Sequence, residues 1–173
     1  MIATMKHHPH PIQRTEPYMA TFSVRNATFA DLGVLRRFEQ AIVDAERSFD
    51  PTLRSGEVQY YDIERLLTHP DARMVFAQAA NDVIGCGLAR IDASKPYLRH
   101  AQHGYLGLMY TDEAFRGRGV NRMIVAALTD WCLSRGVMEL RLDVYSDNQP
   151  AIRAYERSGF SKHLVEMRMP LPK

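Results

Sequence analysis

A chain of 173 residues, 46% hydrophobic and 24% charged, has the size and composition of one soluble globular domain with a sizeable core. Its net charge of +2 is too small to argue for nucleic acid or a membrane surface, and its two cysteines, Cys86 and Cys132, lie too far apart for a CxxC metal or redox site or a disulfide framework. No apolar run is long enough to span a bilayer and no signal-like stretch opens the chain, so no membrane partner, no metal and a reduced cytoplasmic setting are the defaults.

Residues 1–19 hold His7, His8 and His10 interrupted by Pro9 and Pro11, with no apolar period, and read as a disordered leader. A single domain is expected over 20–173. "TFSVRNA" is a short strand. Thr28, with Asp31 three residues on, nearly matches a capping box and opens a helix whose Leu32, Leu35, Phe38, Ile42 and Val43 share a face. Pro51 and Gly56 break the pattern, and a second helix is expected over 60–67, ending before His69-Pro70. "ARMVFAQAANDVIGCGLARI" is two strands about a turn at Asn81-Asp82. "GYLGLMYT" is another strand. A helix follows, with its apolar stripe at Val120, Met123, Ile124, Ala127, Leu128, Trp131 and Cys132, and stops at Gly136. "MELRLDVY" alternates like a strand, Pro150 suits the first turn of a short helix closed by Gly159, and "FSKHLVEMRM" is expected as the last strand. Strands and helices alternate in the second half, so part of the sheet should be parallel, while the hairpin makes it mixed.

The stretch "FRGRGVNRMI", residues 115–124, puts Gly-x-Gly and three arginines at the mouth of a helix. Helix N-termini carry unpaired N–H groups and partial positive charge, and glycine lets a ligand come close to the backbone. Together they describe a cradle for phosphate or pyrophosphate. GxxxxGK[ST] is absent, and so is the third glycine of a dinucleotide fingerprint.

About thirty residues further on comes "DVYSDNQPAIRAYERSGF". Arg116-Gly117-Arg118-Gly119-Val120-Asn121 followed by Asn148, Ala151, Tyr155, Gly159 and Phe160 resembles the signature of the GNAT-type N-acetyltransferase superfamily. The resemblance is strongest from about Tyr105 to Phe160. It implies an α/β (α+β) fold with a mixed, partly parallel central sheet of six to seven strands flanked by about four helices. It further implies acetyl-CoA as acyl donor, with the backbone of Met109, Tyr110 and Thr111 along the pantetheine arm. Arg116, Gly117, Arg118, Gly119, Val120, Asn121 and Arg122 would then meet the pyrophosphate. One departure is Asn121, where the family usually has Gly or Ala.

The reaction so implied moves an acetyl group from a thioester to an amine of a small molecule or peptide. The amine must first lose a proton, the oxyanion needs donors, and the departing thiolate needs a proton. The resemblance assigns an oxyanion donor to the Met109 N–H and the thiolate's proton to Tyr155. Asn148 suits both a helix cap and a cofactor contact. Many relatives carry a glutamate nine residues ahead of the motif arginine; that position is Gly107 here. The base is left open between His103, whose ring titrates near neutrality, a carboxylate of the first helix such as Glu39 or Glu46, and water alone. Cys86, between Gly85 and Gly87, reads as a tightly packed strand position and not a nucleophile. A non-catalytic acyl-CoA-binding module is the alternative function, and homodimers are common in the family.

Overall fold

The computed structural model describes residues 21–172; the expected leader, 1–19, and its boundary lie outside them. Five strands form one sheet in the order β1 (Phe22–Asn26), β2 (Ala72–Ala79), β3 (Asp82–Ala93), β4 (Gln102–Thr111) and β5 (Leu140–Arg141). The first three pairings are antiparallel, and β4 with β5 is parallel. Four helices complete the fold: α1 (Leu32–Glu46), α2 (Ile63–Thr68), α3 (Val120–Ser134) and α4 (Gln149–Arg157).

The sheet is covered on both faces, so β2 and β3 read as nearly continuous apolar runs. Met74 and Phe76 of β2 join Leu35 and Phe38 of α1 and Ile63 of α2 in one core. Val75 and Ala77 join Val120, Ile124, Leu128 and Cys132 of α3 in the other. Two irregularities re-aim the strands. Between β2 and β3 the register slips at Ala77/Gln78, leaving Ile84 as an extra residue. Between β3 and β4 it slips again: Cys86 faces Tyr110 and Leu88 faces Gly107, so Leu108 and Met109 together oppose Gly87. At that second bulge Leu108 takes a left-handed backbone, φ 49°.

The Thr28–Asp31 box expected at the start of α1 forms on a short 3-10 turn, Phe29–Asp31, which leads directly into the helix. Asp31 accepts from the Thr28 backbone N–H at 2.8 Å, and Arg25 grips the same carboxylate with bonds of 2.7 and 2.8 Å. The second helix starts later than expected, at Ile63, because the preceding segment is spent elsewhere and Asp62 caps it through the Arg65 N–H.

Two expectations about strands are corrected. "MELRLDVY" contributes only Leu140–Arg141 to the sheet, and residues 160–172 form no strand. Alternation permits a strand, but a ladder needs a neighbour. The tail is instead tied down by Arg168, which bonds the buried Asp50 at 2.9 Å. Val165, Met167 and Met169 then stand 84%, 90% and 79% exposed. Among the described residues the sheet therefore has five strands and not six or seven. β5 stops pairing after Arg141 while β4 runs on to Thr111, so the two strands part company from Leu106 onward. The sheet is open at this point, directly beside the second bulge.

Candidate active site

The glycine loop has the predicted form. Gly117 and Gly119 lie at φ 76° and 86°, and Gly119 is the N-cap of α3 with no side chain capping the helix. A Cβ added at either glycine would meet nothing within 4 Å. Nothing among the described residues crowds the two glycines, and the uncapped N-terminus of α3 begins there, which fits an incoming pyrophosphate. Arg116 is engaged within the loop, donating to the Thr111 carbonyl at 3.3 Å and to Glu113 at 3.1 Å. Arg118 lies over the Phe115 ring at 5.5 Å. Arg122 is exposed on the first turn of α3 and Asn121 is half-buried; Val120 is buried and packs in the α3 core.

On β4 the side chains of Met109 and Tyr110 pack against opposite cores, Tyr110 stacking on Phe38 at 4.4 Å. What this strand can offer a ligand at 109–111 is therefore its backbone. Cys86 is buried and donates its thiol to the Leu108 carbonyl at 3.2 Å; burial pushes its pKa up, which rules it out as a thiolate nucleophile. Cys132 is buried as well, its thiol pushed up to about 11.

α4 carries Tyr155. Asn148 caps this helix, its side-chain oxygen accepting the Ala151 N–H at 3.2 Å, with Pro150 in the first turn. Tyr155 packs edge-on against Phe160, with ring centroids 5.9 Å apart. Burial, and then the proximity of Tyr61 and Glu46, push its phenol up to about 12, so it holds its proton at any working pH. Tyr155, Tyr61 and Glu46 thus share one electrostatic neighbourhood.

The two glutamates named from sequence separate cleanly. Glu39 is 1% exposed, and its Oε1 accepts the backbone N–H groups of Tyr60 and Tyr61 at 2.8 and 2.9 Å. It fixes the segment that leads into α2. Glu46, at the end of α1, is half-buried, with the Tyr60 hydroxyl as its partner; burial raises its pKa above the ordinary glutamate value. His103 is elsewhere. It lies near the start of β4, pairs with Asp92 across the ladder and bonds Ser94 at 3.1 Å through Nδ1. That is four residues before Gly107, roughly 13 Å along the strand. Burial and the nearby Arg141 lower its pKa.

Tyr61, in the segment between α1 and α2, reaches the same strand. Its hydroxyl accepts the Leu108 N–H at 3.3 Å, at the bulge. A tyrosine 47 residues away cannot be assigned to a strand backbone by spacing; the signal was the glycine at 107, which leaves the room it fills. Among the described residues no group of three or more His, Cys, Asp or Glu is arranged to hold a metal ion, and no helix is long and apolar enough to cross a membrane.

Comparison with known proteins gives the same architecture. Residues 38–160 match the family model for the acetyltransferase (GNAT) family. A tetramutant of the BH1408 protein of Bacillus halodurans is 20% identical with a TM-score of 0.78, covering 86% of this chain and 99% of its own. A predicted acetyltransferase of Clostridium acetobutylicum, solved with acetyl-CoA, is 18% identical with a TM-score of 0.65, covering 87% and 96%. Glucosamine-6-phosphate N-acetyltransferase of Arabidopsis thaliana is 19% identical with a TM-score of 0.62, covering 88% and 99%. At these identities the structural likenesses speak to the fold alone.

Proposed function

The chain belongs to the acetyltransferase (GNAT) family, and from that premise we propose that it moves an acetyl group from acetyl-CoA to a primary amine of a small molecule or peptide, by direct attack in a ternary complex. The observation that carries this reading is the Tyr61 hydroxyl held at the β4 bulge, on the strand that leads into an uncrowded glycine loop, with Glu46 and Tyr155 close enough to Tyr61 to feel one another's charge.

In this reading the amides from Arg116 to Asn121 and the Arg122 side chain hold the pyrophosphate. The backbone of Met109, Tyr110 and Thr111 lines the pantetheine arm, and Asn148 presents the start of α4 to the donor while capping it. The acetyl carbonyl lies at the bulge, with the Met109 N–H as oxyanion donor. Glu46 takes the proton from the acceptor ammonium, since its raised pKa brings it closer to a working base and its carboxylate is not consumed by backbone bonds as that of Glu39 is. We prefer it to His103 on position. The neutral amine attacks the thioester carbon, the C–S bond breaks, and the sulfur leaves as thiol with a proton from Tyr155, whose phenol is then reprotonated from solvent.

A cytoplasmic setting and a homodimer belong to the same reading. The dimer rests on the exposed apolar side chains of Val165, Met167 and Met169, and a concentration-independent monomer in sedimentation would remove it.

The test is thiol release from acetyl-CoA against a panel of primary amines. Release that depends on an added amine is expected. Tight acetyl-CoA binding with no release on any amine would point to an acyl-CoA-binding module of the same fold.

A further inference from the structure

We infer that the Tyr61 hydroxyl is a second oxyanion donor, hydrogen-bonded to the acetyl carbonyl oxygen beside the Met109 N–H; this rests on the placement of the acetyl group proposed above. Its location is set by four contacts. Buried Glu39 holds the Tyr61 backbone N–H at 2.9 Å, and Ile63, 1% exposed, anchors the start of α2 just beyond. The ring reaches β4, where the hydroxyl oxygen accepts the Leu108 N–H at 3.3 Å. Gly107 makes the room: a Cβ there would overlap the hydroxyl and lie 3.0 Å from Cζ. Leu108 sits at φ 49°, a left-handed conformation that costs a branched residue energy and is held in place by its surroundings.

The chemistry follows from donor and acceptor counting. The hydroxyl oxygen is used as an acceptor, so its hydrogen must point away from Leu108. Among the described residues no side-chain hydrogen bond uses that hydrogen. Burial raises the phenol's pKa, so the hydrogen is retained. A neutral donor, fixed before the reaction and aimed from a water-poor position beside the thioester carbon, is what stabilises charge as it develops on oxygen. Tyr61 and the side chain found in many relatives at position 107 exclude one another in space. In this chain the phenol occupies that space, and the proposed base, Glu46, lies on α1.

Tyr61→Phe removes one oxygen and keeps the ring. The expected result is a fall in kcat of about 100-fold, with acetyl-CoA affinity and the KM of the amine each within about twofold of wild type. Gly107→Ala, which pushes the ring aside, should lower kcat similarly, and the double variant should be no worse than either single one. A readout without turnover is the infrared carbonyl band of bound [1-13C]acetyl-CoA, which should move to higher frequency in Tyr61→Phe as the bond is lost. An unchanged band and an unchanged kcat would overturn the inference. So would a loss of melting temperature and acetyl-CoA binding that accounts for the whole defect, which would make Tyr61 a packing residue. A wild-type protein that binds acetyl-CoA but acetylates no amine would instead defeat the transferase reading, and the carbonyl band would still decide the role of Tyr61.

Discussion

Glu39 and Glu46 lie two turns apart on α1 and have opposite fates. Both are glutamates near the expected acceptor side, and sequence does not rank them. What separates them is the return of residues 60–61, whose amides reach Glu39 from more than twenty positions away. Glu39 spends its charge on backbone, whereas Glu46 keeps a carboxylate with a phenol beside it. The groups facing Glu46 are Tyr60, Tyr61, Tyr145 and Tyr155, with Arg47 and the Asp50–Arg168 pair at the edge. Glu46→Gln should lower kcat by about 100-fold, in the range of a lost general base. A raised pKa means that Glu46 is protonated, and useless as a base, to a higher pH than an ordinary glutamate. Wild-type kcat/KM should therefore rise with pH through that pKa, and the variant should lack this limb. A pH–rate profile that keeps the limb in Glu46→Gln would assign the base elsewhere. The place of Tyr155 on α4 was legible because its motif is local: asparagine, tyrosine and Gly-Phe all lie on or beside one short helix. The place of Tyr61 at the bulge was not, because it depends on a contact across the chain.

At the level of elements, sequence was most informative where the determinants are neighbours. The Thr28–Asp31 box, the glycine loop and the cap of α4 each depend on a few adjacent residues and have the expected form, while the β2–β3 turn sits at Ala80-Asn81, one residue ahead of the expected Asn81-Asp82. The last strand and most of β5 depend on partners, and alternation alone did not provide them. The bulges that flip β3 and β4 are likewise invisible to a period-two reading. Arg25 pulls the Asp31 pKa down to about 2, helped by the bonds from Thr28. A depressed carboxylate pKa contributes stability above the unfolded value of about 3.9 and loses it as pH falls toward the folded value. Asp31→Asn should therefore cost about 1 kcal/mol near neutrality, the usual scale for a lost cap. Its stability should also fall less between about pH 4 and pH 2 than that of wild type. Equal losses in that window, measured by denaturant melts, would contradict this account of the α1 start.

Across the whole molecule, two cores clamp one sheet, and that clamp sets where the sheet can open. β2 and β3 are buried on both faces and paired on both sides. β4 is held by β3 throughout but by β5 only at Gly104 and Tyr105, so its second half keeps one edge unpaired by β5, beside the bulge and ahead of the glycine loop. A donor laid along that edge would have its pyrophosphate at the N-terminus of α3 and its thioester beside Tyr61 and Tyr155. The measurement that tests this placement most directly is an acetyl-CoA titration by calorimetry on wild type and on Gly119→Trp, which fills the open space over the loop. Saturable binding by wild type, lost in a variant with an unchanged circular dichroism spectrum, is the predicted result. Equal binding by both proteins, or none by wild type, would contradict it.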